Sequence, residues 1–486
     1  MTDTMLDLFT LLPELILAIT ILFVLTTDLF LPRRLKWLLT PLTVFGLLMT
    51  GVGLVLVWGV NDTVFGGFYR VDDLSVFFKA ATVIIGIFSA LFAPSYLVAR
   101  RLPLGEFNTI LLTSLAGMFV LASGSDLITL FLGLELMVMP SYLLTGFHKT
   151  NRFSNEGGLK YFLLGSFASA ILLFGIAWTY GLTGSTRLAD IGPDLLGSGP
   201  GGLVAVGMMT VGATFKVAAV PFHYWTPDAY QGAPTPITGF LSVGPKLGAF
   251  ALLVRLFVGG LGDLRADWLT VMALLAVLTM TGGNVVALVQ TNVKRMLAYS
   301  SIAHTGYIMA GLAAYAAAAT PELQQRGIEA ILFYVLGYGI MNVAAFAVVG
   351  MLQRDPTRYG GLRSFAGLAR RSPGLAAAMA ILLLSLTGIP PTVGFFAKLY
   401  VLLAAVDAGL GWLAVLIALN AALAAFYYLR VIVYMYMRDP EDEPAPIDGH
   451  PYNAFALALS VAGVILLGLF PEPVLGLLQV SAASIF

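Results

Sequence analysis

The chain has 486 residues, of which 59% are hydrophobic and 11% charged, and its mean hydropathy is +0.90. Soluble proteins carry nearer ~25% charged residues, so the composition predicts a polytopic membrane protein. Zero net charge leaves no basic surface for nucleic acid, and the lack of cysteine excludes disulfides, thiolate metal sites and cysteine-held iron–sulfur clusters.

No basic region or small-residue cleavage site opens the chain, so its first apolar run is expected to stay in the membrane as a helix. At roughly 20 apolar residues per crossing, about fourteen spans are predicted, near 9–29, 37–59, 75–97, 108–123, 126–147, 158–182, 203–222, 236–257, 268–290, 297–315, 327–351, 375–404, 410–436 and 453–482. Two of them are interrupted: Pro221 closes the seventh, and Pro390 and Pro391 break the twelfth. Basic residues gather in odd-numbered loops: Arg33, Arg34 and Lys36; Arg100 and Arg101; Lys149 and Arg152; Lys294 and Arg295; Arg354, Arg358, Arg363, Arg370 and Arg371. Even-numbered loops mix an arginine with acids, as in Asp62, Arg70, Asp72 and Asp73. Cytoplasmic loops collect Lys and Arg, so both termini are expected on the non-cytoplasmic side, in a bacterial inner membrane.

Spans 4–8 and spans 9–13 each have the broken helix as their fourth member. Five is odd, so the second set must enter from the opposite face, which makes an inverted repeat of the kind that places a transport site near the midplane. The expected fold is therefore an all-α polytopic membrane protein with about 14 transmembrane helices and two inverted five-helix repeats. Residues 1–105 would hold the first three spans, 106–260 the first repeat, 261–437 the second, and 438–486 a cytoplasmic loop and the last span.

The chemistry is expected where ionisable groups stand in lipid-grade sequence. Glu135 follows Asp126 by nine residues, which at 1.5 Å each puts it roughly 14 Å into a layer about 30 Å thick. Lys246 lies at about the same depth after Pro236, and Lys216 and Lys398 occupy similarly apolar settings. Four such groups could cost roughly 10 kcal/mol to insert, a load that pairing or water has to offset. Backbone loosened by proline is tolerated at membrane depth only where protein or a wet cavity surrounds it. A buried amine beside such backbone is what a proton path requires, and a carboxylate that approaches or leaves an amine changes its proton affinity.

The competing readings are a structural ion pair for Glu135 with Lys216, and snorkelling to the surface for Lys246 and Lys398. His304, in SSIAHTGY, either relays a proton between lysines or packs as a hydrogen-bonded histidine. His223, Lys79, Glu14 and Asp28 read as end-of-helix groups. The four histidines lack metal or haem spacing, and the Gly-rich run at 197–202 reads as a loop, so no metal and no redox centre of its own is expected.

Five stretches carry a resemblance: SDLITLFLGLELMVMPSYLLTGF around Glu135, SNEGGLKYFLLGSFASA at 154–170, FHYWTPDAYQGAPTPITGFLSVGPK at 222–246, QTNVKRMLAYSSIAHTGY at 290–307 and LTGIPPTVGFFAKLY at 386–400. Together they resemble the antiporter-like membrane subunits of respiratory complex I, the proton-pumping NADH:quinone oxidoreductase. The WTPD and SVGPK variants, and the lack of a lateral helix after the last span, make the likeness one to the subunit N family. The resemblance implies that Glu135 and Lys216 form the paired charge of a first half-channel, that Lys246 connects, and that Lys398 serves a second. It further implies no cofactor in this chain, with NAD, FMN, iron–sulfur clusters and quinone in partner subunits. The implied partners are a neighbouring antiporter-like subunit, small membrane subunits, the lipid bilayer and protons. A subunit of a multi-component sodium/proton antiporter and a non-pumping structural subunit are the rival readings.

Overall fold

The computed structural model describes residues 3–352, 361–440 and 447–486, so Arg354 and Arg358 lie outside the described residues. Backbone in hydrocarbon must satisfy its polar groups within the segment, and the apolar runs accordingly fold as helices. The first are α1 (Leu12–Phe30), α2 (Leu39–Leu56) and α3 (Asp73–Phe92). A hairpin of β1 (Asp62–Val64) and β2 (Tyr69–Val71) joins α2 to α3, with Thr63 opposite Arg70. The series continues with α4 (Leu104–Ser123), α5 (Leu127–Thr145), α6 (Arg152–Thr183) and α7 (Pro200–Lys216). A short α8 (Trp225–Gly232) precedes α9 (Thr235–Val254), α10 (Arg265–Leu288), α11 (Val293–Ala317) and α12 (Pro321–Leu352). The last are α13 (Pro373–Thr387), α14 (Val393–Asp407), α15 (Gly411–Met437), α16 (Pro451–Leu469) and α17 (Glu472–Ala483). Among the described residues, eleven helices are long and apolar enough to cross a membrane, and the chain is an all-α polytopic membrane protein.

Two boundaries depart from the sequence expectation. The run at 203–222 stops being helical at Lys216, short of Pro221, because Ala218 turns left-handed at φ +61. The run at 453–482 is two helices, split where Phe470 takes φ −130 and ψ 70 ahead of Pro471; a residue before proline is pushed out of the helical region.

Every residue of α9 is buried, so this helix forms the axis of the molecule. Around it pack α4, α5, α12 and α3, while α1, α2, α6 and α15 turn large apolar side chains such as Phe23, Phe45, Phe167 and Leu419 outward. Helices α10 and α11 approach backbone to backbone: a Cβ on Gly283 would stand 2.6 Å from the amide nitrogen of Ala303. Such small-residue contacts let transmembrane helices pack closely, and this one fixes the face of α11 that carries His304.

Candidate functional site

Glu135 rides on α5, which is started by Asp126, whose Oδ1 accepts the Ile128 amide at 2.8 Å. The carboxylate is half-buried, between the exposed Leu132 and Leu136 on the flank of the molecule. Lys216 is the buried last residue of α7. No direct ion pair joins the two among the described residues; Ser169 of α6 stands between them. Its Oγ donates to Glu135 Oε1 at 2.5 Å and accepts from Lys216 Nζ at 2.7 Å. Lys216 also donates to the Gly165 carbonyl at 3.3 Å and to the Tyr142 hydroxyl at 3.5 Å.

After Lys216 the chain is broken through residues 217–224, and its freed backbone groups find side-chain partners. Trp225 Nε1 donates to the Phe215 carbonyl at 3.3 Å, the Val220 amide donates to Thr279 Oγ1 at 2.9 Å, and Thr305 Oγ1 donates to the Val217 carbonyl at 2.8 Å. Thr305 accepts in turn from Lys246 Nζ at 2.9 Å. The hydroxyl of Thr305 thus connects the break after Lys216 to the next lysine.

Lys246 follows Pro245 inside α9, and that proline frees the Leu241 carbonyl, which accepts the Tyr230 hydroxyl at 3.0 Å. With all of α9 buried, snorkelling is excluded for Lys246. Its ammonium instead donates to Ser301 O and Ser301 Oγ, both at 2.6 Å. Tyr338 donates to Ser301 Oγ at 2.8 Å, and its ring lies against His304 with centroids 4.9 Å apart. His304 uses both ring nitrogens, Nδ1 with Tyr334 hydroxyl at 2.8 Å and Nε2 with Tyr428 hydroxyl at 3.1 Å. Tyr428 continues the chain to Ser300.

The second break lies between α13 and α14. Gly388 turns it at φ +94, and Gly394 presses α14 onto α13, since a Cβ there would collide with the Ser385 carbonyl. Lys398 Nζ then reaches the last carbonyls of α13, Leu386 O at 2.9 Å and Thr387 O at 2.7 Å. A cation at a helix C-terminus is favoured by the helix dipole and by the orphan carbonyls. The same ammonium sits 5.1 Å from the centre of the Tyr307 ring, and Tyr307 is 6.3 Å from Tyr334 by ring centroids.

The five side chains expected from the sequence therefore follow one another in linked groups. Hydrogen bonds join half-buried Glu135 to Lys216 through Ser169 and the Val217 carbonyl to Lys246 through Thr305, while ring contacts of Tyr338 with His304 and of Tyr307 with Tyr334 and Lys398 make the remaining connections. Residues 124–424 match the family described as NADH:quinone oxidoreductase/Mrp antiporter, TM. NADH-quinone oxidoreductase subunit N of Chloroflexus aggregans is 43% identical over 480 residues, spanning 97% of this chain and 96% of the relative. The chain belongs to the NADH-quinone oxidoreductase subunit N family. The family member from Trichlorobacter lovleyi is 41% identical over 477 residues, with 97% and 96% covered. A chain of respiratory complex I from Thermus thermophilus with bound aureothin is 33% identical, with a TM-score of 0.82 over 96% of this chain and 98% of that one. A chain of the Mrp complex from Dietzia sp. DQ12-45-1b shares the fold at 24% identity, with a TM-score of 0.81 over 100% and 98%.

Other charges of this subunit N-family chain serve different ends. Lys79 and Glu14, read from the sequence as end-of-helix groups, pair at 2.6 Å, Lys79 buried and Glu14 half-buried, with the Tyr69 hydroxyl donating to the same carboxylate oxygen at 2.6 Å. Glu14 stands in the first turn of α1 and Lys79 near the start of α3, and the hairpin between α2 and α3 brings Tyr69 to both. Asp28 is an end-of-helix group, paired with Lys36 at 2.8 Å. His223 is half-buried in the break and stacks near Tyr224. Asp228 ties α8 to its neighbours, reaching Lys160 of α6 and Arg295 of α11 at 2.8 Å each. Among the described residues no cluster of His, Asp and Glu could hold a metal ion.

Sequence reasoning missed Ser169, Ser301, Thr305, Tyr338 and Tyr428. A hydroxyl costs little in a membrane helix, so nothing in the sequence marks it out; the available signal was position, since Ser301 and Thr305 flank His304 and Ser169 lies in the quoted 154–170 stretch.

Proposed function

We propose that this chain is a membrane subunit of a proton-pumping NADH:quinone oxidoreductase and carries protons along Glu135, Lys216, Lys246, His304 and Lys398. The observation that carries the reading is the run of hydrogen bonds from Glu135 through Ser169 to Lys216, and from the Val217 carbonyl through Thr305 to Lys246. Subunit N relatives at 43% and 41% identity over nearly the whole chain favour this reading over a sodium/proton antiporter subunit. A scaffold without transport has no use for an ammonium held by hydroxyls and carbonyls at the centre of the axis helix.

NADH oxidation and quinone reduction belong to other subunits in this proposal, with NAD, FMN, iron–sulfur clusters and quinone bound there. This chain is the translocase part, packed beside another antiporter-like subunit and small membrane subunits. Its proposed frame is fourteen crossings with two inverted repeats, spans 4–8 and 9–13, in a bacterial inner membrane with both termini outside. The broken helices α7 and α13–α14 occupy matching places in the two repeats and support that frame.

Lys216→Ala in the assembled complex tests the role. Electron transfer from NADH to quinone is expected to persist in part while proton uptake per NADH falls; full pumping stoichiometry in the assembled variant rejects the proposal.

A further inference from the structure

On the side of the arginine-rich loops lies a cavity of about 1080 Å³, between the turn before α2, residues 94–104 and the start of α16. Arg33, Arg34 and Arg101 line it and are exposed, and among the described residues none of the three makes an ion pair. Lys36, also in the wall, is already paired with Asp28 at 2.8 Å. Among the described residues the one carboxylate in the wall, Asp448, is engaged by the His450 amide at 3.1 Å and by Asn453 Nδ2 at 3.4 Å. Among the described residues, three unpaired guanidinium groups therefore line the cavity with one carboxylate that is partly satisfied from within. Trp37 and Tyr452 also line it, the residue types that settle at the headgroup level.

Asp448 and His450 also line a second cavity of about 620 Å³, so the two adjoin there. The second is a groove between α13 and α16, walled by Leu375, Ala378 and Ile381 on one side and Leu457, Val461 and Ile465 on the other. From His450 to Ile465 the helix rises roughly 22 Å, more than the hydrocarbon depth of one leaflet, half of about 30 Å. A cationic basin opening into an apolar trough of leaflet length has the shape and polarity of an acidic lipid.

We propose that this basin binds an anionic diacyl phospholipid, with its phosphate on Arg33, Arg34 and Arg101 and one acyl chain in the groove between α13 and α16. Arginine is suited to phosphate because its planar donors bind two oxygens at once, and basic pockets between helices on the cytoplasmic side recognise anionic headgroups. The bound lipid staples the turn before α2 to α16, elements at opposite ends of the sequence. This site is separate from the relay and does not depend on it.

The test is a titration of the assembled, delipidated complex with phosphatidylglycerol, phosphatidylcholine or inorganic phosphate, followed by native mass spectrometry. The wild type is expected to prefer phosphatidylglycerol. The triple variant R33Q/R34Q/R101Q is expected to lose affinity on the order of 100-fold, whereas Lys149→Gln, an exposed cation elsewhere on that side, leaves it unchanged. Ala458→Trp, which fills the groove, is expected to weaken diacyl lipid without affecting short-chain phosphatidylglycerol. Equal binding of phosphatidylcholine, equal competition by inorganic phosphate, retention by the triple variant, or a basin filled by a neighbouring subunit in the assembled complex overturns the proposal.

Discussion

Removing a buried lysine has two different costs, depending on whether an acid is left behind. Lys246 is held by Ser301 and Thr305 with no carboxylate, whereas Lys79 neutralises Glu14 at 2.6 Å. Lys246→Met is expected to leave stability within about 1 kcal/mol, because a paired charge is not orphaned, and to abolish pumping. Lys79→Met strands a carboxylate and is expected to cost about 3 kcal/mol, seen as a lower thermal unfolding temperature. Ser169 gives a sharper test, since its hydroxyl is the hydrogen-bonded step between Glu135 and Lys216. Ser169→Ala is expected to slow proton uptake about tenfold, the equivalent of one lost hydrogen bond of about 1.4 kcal/mol, and Ser169→Thr is expected to restore it; equal rates for both variants would remove Ser169 from the path. The charged members of the line were readable because an ionisable group at mid-span is too costly to be casual. The hydroxyls and tyrosines between them carry no such penalty, and Ser169, which stands between the Glu135 and Lys216 that the resemblance implies as a pair, was one of those left unmarked.

At the scale of elements, the two breaks use their lysines differently. Lys216 ends its own half-helix, while Lys398 leans across to cap the end of another. Gly394→Ala sets a methyl against the Ser385 carbonyl and is expected to push α14 off α13, costing about 1–3 kcal/mol as overpacking and reducing pumping by withdrawing Lys398 from Leu386 and Thr387. The short α8 is secured by Asp228, whose partners Lys160 and Arg295 are partly open to solvent. Asp228→Asn is therefore expected to cost no more than about 1 kcal/mol, with faster amide exchange confined to residues 217–232. Helix positions were legible from the length of apolar runs. The exact ends were not, because Ala218 turning left-handed and Phe470 unwinding before Pro471 are local dihedral choices that hydropathy does not encode.

For the molecule as a whole, the orientation proposed from loop charge can be measured cleanly, since the chain has no cysteine to give background. Lys149 and Asp194 are both exposed and lie between spans, in connections expected on opposite sides, Asp194 within the short helix Leu188–Gly197. In intact spheroplasts, Asp194→Cys is expected to react with a membrane-impermeant maleimide and Lys149→Cys only after lysis; the reverse pattern would invert the topology. That the chain is an all-α polytopic membrane protein was visible in the sequence because bilayer thickness dictates segment length, but the central place of α9 was not, since hydropathy does not distinguish a helix facing lipid from one facing only protein. That placement governs how energy can get in. With α9 sheathed on every side, Lys246 is insulated from the surrounding fatty chains and from any adjoining polypeptide, much as the core of a shielded cable is. In the relay proposed above, Glu135, half open on the flank, is the terminal that an outside disturbance can reach, so that proposal has a driving force generated elsewhere arriving sideways and travelling inward.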